Sequence, residues 1–97
     1  MLNAPLDPLL HARHRLAIMS LLMREREAEF TQIKNKLNVS AGNLSVQLQK
    51  LKTAGYIDIQ KRFGESYPLT NCKITFKGVQ AFRKYAQAIR SYIGEAN

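Results

Sequence analysis

Ser40-Ala41-Gly42-Asn43-Leu44-Ser45-Val46-Gln47-Leu48-Gln49-Lys50 decides how the rest of this 97-residue chain is read. Leu44 and Leu48, with Leu51 just beyond, fall at i, i+4 and i+7, the spacing that forms one buried stripe at 3.6 residues per turn. Ser40 stands where an N-cap hydroxyl accepts from free N–H groups, and Gly55 offers left-handed backbone after Thr53. The segment therefore predicts a helix over about 40–53. With the leucines inward, Gly42, Asn43, Val46, Gln49 and Lys50 turn outward, and Ser45 and Gln47 lie on the flanks.

Before it, Phe30 is an apolar anchor and Thr31 suits the N-cap of a short helix that presents Ile33 and Leu37 inward, closed by a turn at Asn38 and Val39. Two short helices separated by a tight turn make a helix-turn-helix pattern. After it, Tyr56 to Phe63 alternates Ile57 and Ile59 with Asp58 and Gln60, as a half-buried strand does. Gly64 to Leu69 turns the chain, Thr70 to Ile74 returns as a second strand, and Thr75 caps a last helix to about Ile93, with Gly94 beyond. At the other end, Leu9, Ala12, Leu16, Met19 and Met23 share one helical face, with Asp7 as N-cap and Pro8 at the first position. Arg24 to Glu29 reads as an acidic connection. The expected fold is mainly α with a small β-hairpin, in the order α-α-α-β-β-α, as one domain over residues 1–97. At 45% hydrophobic residues the chain has enough apolar surface to fold as such a domain.

Both terminal helices, about 8–23 and 76–93, are more apolar than one core-facing stripe requires. The first adds Leu10, Ala17, Ile18, Leu21 and Leu22. The last carries one stripe of Val79, Phe82, Ala86, Ile89 and Ile93 and another of Ala81, Tyr85, Ala88 and Tyr92. The surplus predicts a homodimer, with Leu10, Ile18, Leu22, Tyr85, Ala88 and Tyr92 at the interface.

The formal charge is +8, and it is concentrated: Phe30 to Lys84 holds ten Lys or Arg against Asp58 and Glu65 alone. A folded surface of that sign suits a polyanion. The residue types on the 40–53 helix narrow the choice. Asn and Gln offer paired donor and acceptor contacts to adenine, Ser bonds bases or phosphates, Val touches a thymine methyl, and Lys reaches guanine or phosphate. Small Ala41 and Gly42 leave the helix start, with its free N–H groups, open to phosphate. Lys61, Arg62 and Lys73, with Ser66 at the tip, make the hairpin a cationic finger suited to the backbone or minor groove of a duplex. The expected double-stranded DNA surface is thus Ser40, Ala41, Gly42, Asn43, Ser45, Val46, Gln47 and Lys50 on the helix, with Lys61, Arg62, Ser66 and Lys73 on the hairpin. The competing reading is a solvated helix face beside an edge strand charged against aggregation.

Other chemistry finds little support. Cys72 is the single cysteine, so no internal disulfide forms and a reducing, cytoplasmic setting is expected. His11 and His14 have metal-ligand spacing, yet no Cys, Asp or Glu stands ready to complete a shell, so no metal is expected. Tyr67-Pro68 reads as turn geometry. No nucleophile triad, phosphate-cradling glycine loop or carboxylate pair is present, which argues against an enzyme and against a cofactor. No apolar run is long enough to span a bilayer, and residues 1–8 lack a secretory signal pattern.

Taken together, Leu6-Asp7-Pro8, Arg15-Leu16-Ala17-Ile18, Phe30-Thr31-Gln32-Ile33, Gly42-Asn43-Leu44-Ser45, Ala54-Gly55-Tyr56-Ile57, Lys61-Arg62-Phe63, Pro68-Leu69-Thr70 and Ile74-Thr75-Phe76-Lys77-Gly78 resemble the prokaryotic winged-helix domains of the multiple-antibiotic-resistance (MarR) and arsenic-resistance (ArsR) type regulators. The resemblance covers nearly the whole chain. It implies a dimeric transcriptional regulator, with the third helix in the major groove, the wing on the flanking backbone and the terminal helices at the interface. The chain departs from the pattern at Val46 and Gln47, where similar sequences often carry a basic residue and a His, and it lacks the Cys-rich metal-sensing motif. Winged helices also serve as protein–protein adaptors, which is the alternative reading.

Overall fold

A computed structural model describes residues 4–63 and 67–94. Within them the order is α1 (Arg13–Glu25), β1 (Glu27–Glu29), α2 (Phe30–Leu37), α3 (Ala41–Thr53), β2 (Ile57–Phe63), β3 (Pro68–Ile74) and α4 (Phe76–Tyr92). The expected helices and hairpin are present, and β1 makes the hairpin a three-stranded antiparallel sheet of order β1-β3-β2. No described helix is long and apolar enough to cross a membrane.

Local chemistry explains most boundaries. The Ser40 hydroxyl accepts from Asn43 N at 3.1 Å and opens α3, and the Thr75 hydroxyl accepts from Gly78 N at 3.0 Å and opens α4. Left-handed backbone at Asn38 (φ 53°) and Gly55 (φ 82°) ends α2 and redirects the chain after α3. β3 begins at Pro68, two residues inside the stretch expected to turn, and two helix starts also differ from expectation. Asp7 does receive a backbone N–H, from Leu9 at 2.9 Å, but it stabilises a separate turn, and α1 begins five residues after Pro8, at Arg13. Similarly, α2 starts at Phe30 with Glu29 as N-cap and no side-chain cap, so Thr31 sits inside its first turn.

β1 lies in the Arg24 to Glu29 stretch read as a connection. Arg26 (φ 74°) turns the chain out of α1 and its carbonyl accepts from Ile74 N at 3.1 Å, which delivers Glu27, Ala28 and Glu29 opposite Lys73, Cys72 and Asn71. Three residues, two of them glutamates, carry too little alternation to announce a strand.

Alternation along the strands divides the sheet into two faces. Ile57, Ile59, Lys61 and Phe63 share one face with their partners Ile74, Cys72, Thr70 and Pro68. Asp58, Gln60 and Arg62 share the other with Lys73, Asn71 and Leu69, and with Glu27 and Glu29 of β1. The first face closes over the core, where Ile18, Met19, Leu22, Ile33, Leu44, Leu51, Ile57 and Cys72 are fully buried.

The core also takes residues expected at an interface. Leu10, Ile18 and Leu22 are 0% exposed within the single chain, and Tyr85 and Ala88 are buried as well. They therefore have no surface to offer a second copy. The reason is that α1 is the central helix, touched by α2, α3, α4, β1 and β3, so its surplus apolar face is used internally. Tyr92 alone of that set stays exposed, its hydroxyl donating to Ala4 O at 2.7 Å.

Cys72 lies in the middle strand, buried, with its thiol pushed up to about 11 by burial and then by the charge of Glu29. A thiol so placed is neither ionised nor reachable near neutral pH. At pH 8 it is expected to ignore an aromatic disulfide reagent in the folded chain and to react at once in denaturant. Rapid stoichiometric labelling of the native protein would contradict this placement.

Candidate nucleic-acid interface

The leucine seam of α3 faces the core, so its opposite side is fixed by geometry. Gly42, Val46, Gln49 and Thr53 form that open side, all exposed, with Val46 at 52%. Ser40, Ala41, Ser45 and Lys50 are exposed beside them. A shallow, almost wholly apolar hollow on this side is lined by Val46, Lys50, Thr53 and Leu9. Gln49 Nε2 and Thr53 Oγ1 are 3.4 Å apart across one turn.

Asn43 and Gln47 are placed differently from expectation. Both are half-buried and turned toward α1. Arg15 donates through Nε to Leu9 O at 2.6 Å and through Nη1 to Gln47 Oε1 at 2.7 Å. Gln47 Nε2 donates to Asn43 Oδ1 at 3.0 Å, leaving Asn43 Nδ2 to donate to His14 Nδ1 at 3.0 Å. Each amide has its oxygen and nitrogen engaged inside the chain, so these side chains hold the pitch of α3 on α1 rather than lying open for paired base contacts. Their types were legible, but their partners depend on tertiary placement. Gln47→Leu is expected to cost about 1 kcal/mol of stability in urea titration, because Arg15 Nη1 loses a charge-assisted bond in a half-buried site. A variant as stable as the parent would show that the network contributes nothing.

On the other flank of α3, a cleft of about 420 Å³ separates the helix from the hairpin. Its walls are Ser45, Gln49 and Lys52 from the helix and Lys61 and Thr70 from the strands, over a floor of Phe30, Leu48 and Ile59. Two lysines and two hydroxyls thus converge on one groove beside the open side of α3. Lys52 was missed in the sequence, although it continues the Ser45–Gln49 row at the next helical step and was findable there.

The hairpin cations part company. Lys61 is on the face toward α3. Arg62 is on the opposite face, 3.5 Å from Glu29 Oε1, an exposed pair. Lys73, in the middle strand, stands between Asp58 and Glu27 on its two neighbours. Arg62 and Lys73 thus lie on the sheet face away from the α3 cleft, while Lys61 lines it. Both cations therefore have carboxylates beside them in the sheet, a neighbourhood that depends in part on β1. Ser66 lies outside the described residues. Among the described residues no group of three potential metal ligands occurs, and His11 instead meets the Tyr85 hydroxyl at 2.7 Å.

The fold is shared by known proteins. The chain is 37% identical over 75 residues to an uncharacterized protein of Methanocaldococcus jannaschii, MJ0432, covering 77% of this chain and 82% of the relative. It superposes with a TM-score of 0.84 on a transcriptional regulator homologue from Pyrococcus horikoshii OT3, at 28% identity and over 89% and 85% of the two chains. It is also similar in fold to a cysteine-to-serine mutant of MarR from E. coli complexed with operator DNA. There the TM-score is 0.71 at 16% identity, covering 87% of this chain and 59% of the MarR chain. The sequence pattern of the winged helix DNA-binding domain matches residues 14–93, and the chain belongs to that family.

Proposed function

We propose that this chain binds double-stranded DNA in a sequence-specific manner, as a homodimer, and regulates transcription. The observation that carries the reading is the cleft between α3 and the hairpin: Lys52 and Lys61 face each other across it, with Ser45 and Thr70 between, next to an open helix side that bears no acid. One DNA strand seated there places its phosphates against both lysines, while Gly42, Val46 and Gln49 face base edges in the major groove. Ser40 and Ala41 lie at the helix start, where free N–H groups favour phosphate, and Lys50 reaches the backbone on the far flank. Arg62 and Lys73 add only a general positive field. Regulators of similar fold occur in complex with DNA, which, with the family membership, supports DNA as the ligand.

The dimer contact falls on the outer side of α4. Met23, Phe82 and Ala86 form the apolar part of an open groove of about 800 Å³ that Arg83, Gln87, Arg90 and Ser91 also line, and Ile93, at the end of the same apolar stripe, is 67% exposed. α4 has 17 residues, about 25 Å of helix, which gives this face room for an antiparallel copy. Two recognition helices related by a two-fold axis require half-sites about 34–36 Å apart.

Selection of bound duplex from a random pool, with sedimentation equilibrium of the free protein, tests the reading. The expected result is an enriched inverted repeat, with its half-sites about one helical turn apart, and twice the chain mass in solution. Ala86→Arg is expected to halve that mass. A protein that ignores duplex at low salt and elutes with another polypeptide would be an adaptor instead.

A further inference from the structure

The hairpin's inner edge carries one large apolar side chain that neither the core nor the cleft uses. Phe63 is 92% exposed, more than any other large apolar side chain among the described residues. Its direction follows from the register: Ile57, Ile59, Lys61 and Phe63 succeed one another on the sheet face toward α3. Ile57 and Ile59 cover the core, Lys61 lines the cleft, and Phe63 stands one step farther out. Pro68, its partner on β3, fixes φ there and stiffens the ribbon. The acids of the described sheet, Glu27, Glu29 and Asp58, all lie on the opposite face, so nothing of negative charge in the described sheet flanks Phe63 on its own side.

Two residues of strand advance about 7 Å, and the minor groove of B-DNA is about 6 Å wide. A backbone strand held between Lys52 and Lys61 therefore brings the adjoining minor groove under Phe63. We infer that Phe63 is an apolar wedge that enters the minor groove of bound duplex and rests on sugars and base edges at a partly opened step. The inference rests on the DNA-binding reading above and adds two things to it. One is a contact that releases no counterions. The other is a preference for easily unstacked pyrimidine–purine steps beside the half-site.

The chain has no tryptophan, so Phe63→Trp reports from this position alone. The variant is titrated at low salt with a random-sequence 20-base-pair duplex carrying a dye, whose anisotropy follows binding. Tryptophan emission is expected to fall about twofold or more as the complex saturates. Phe63→Ala is expected to bind roughly tenfold more weakly, with the parent's dependence on salt. Unchanged emission at saturated binding, or an alanine variant that binds as well as the parent, overturns the wedge and leaves the DNA reading intact. Emission that changes with protein concentration in the absence of DNA assigns Phe63 to a contact between copies and overturns it too. Absence of duplex binding by the unmodified chain brings down both readings.

Discussion

Gly78→Ala is expected to destabilise this protein by about 2–3 kcal/mol, a loss of roughly 10 °C or more in Tm for a domain of this size. Gly78 is in the first turn of α4, where helical backbone asks for no special φ, so its role is space alone. A Cβ there meets Tyr56 O at 2.2 Å and Tyr56 C at 3.0 Å. Both are backbone atoms, and that carbonyl already accepts from Thr75 N at 3.0 Å while Thr75 Oγ1 donates to Gly55 O at 2.7 Å. The start of α4 is thus pinned onto the turn that follows α3, and neither side gives way cheaply. Calorimetry or urea titration reads the effect. A Tm within a degree or two of the parent would show that α4 docks less closely than described.

The second large effect is on binding. Lys52→Gln combined with Lys61→Gln is expected to weaken binding to duplexes of every sequence by roughly 50-fold near 0.1 M salt. Each lysine facing a phosphate contributes about 0.9 to the slope of log affinity against log salt, or about eightfold at that concentration. The slope itself should fall by about two. Both side chains are exposed, so the fold is not at stake. Lys73→Gln serves as the contrast: it also removes a lysine charge, one rather than two, but lies between Asp58 and Glu27 on the other sheet face, and its slope is expected to stay close to the parent's. Fluorescence anisotropy over a range of potassium chloride separates the cases. Equal slopes for the double variant and the parent would place the phosphates elsewhere.

What the sequence disclosed and what it withheld divide along a physical line. Features written in local chemistry were legible: the Leu44–Leu48–Leu51 seam, the Ser40 and Thr75 caps, and the turn at Gly55 each depend on residues a few positions apart. The helix order and the hairpin follow from them. Features that depend on which distant segment lies alongside were not. β1 exists because Ala28 pairs with Cys72 across 44 residues, and nothing in Glu-Ala-Glu foretells that. Asn43 and Gln47 carry the right atoms for reading adenine, yet Arg15 and His14 engage them first. The surplus apolar residues of α1 are largely consumed because that helix packs against α2, α3, α4, β1 and β3, so Ile18 and Leu22, with Leu10 in the turn before it, belong to the core. The same packing moves the dimer proposal to the outer stripe of α4.

The cleft between α3 and the hairpin is the heart of the account, and backbone amide shifts of the 15N-labelled protein on addition of duplex at low salt test it most directly. The largest changes are expected at Gly42, Val46, Gln49, Lys52, Lys61 and Thr70, with Lys73 and the outer stripe of α4 nearly silent. Shifts concentrated on α4, or none at all with excess duplex, would contradict it.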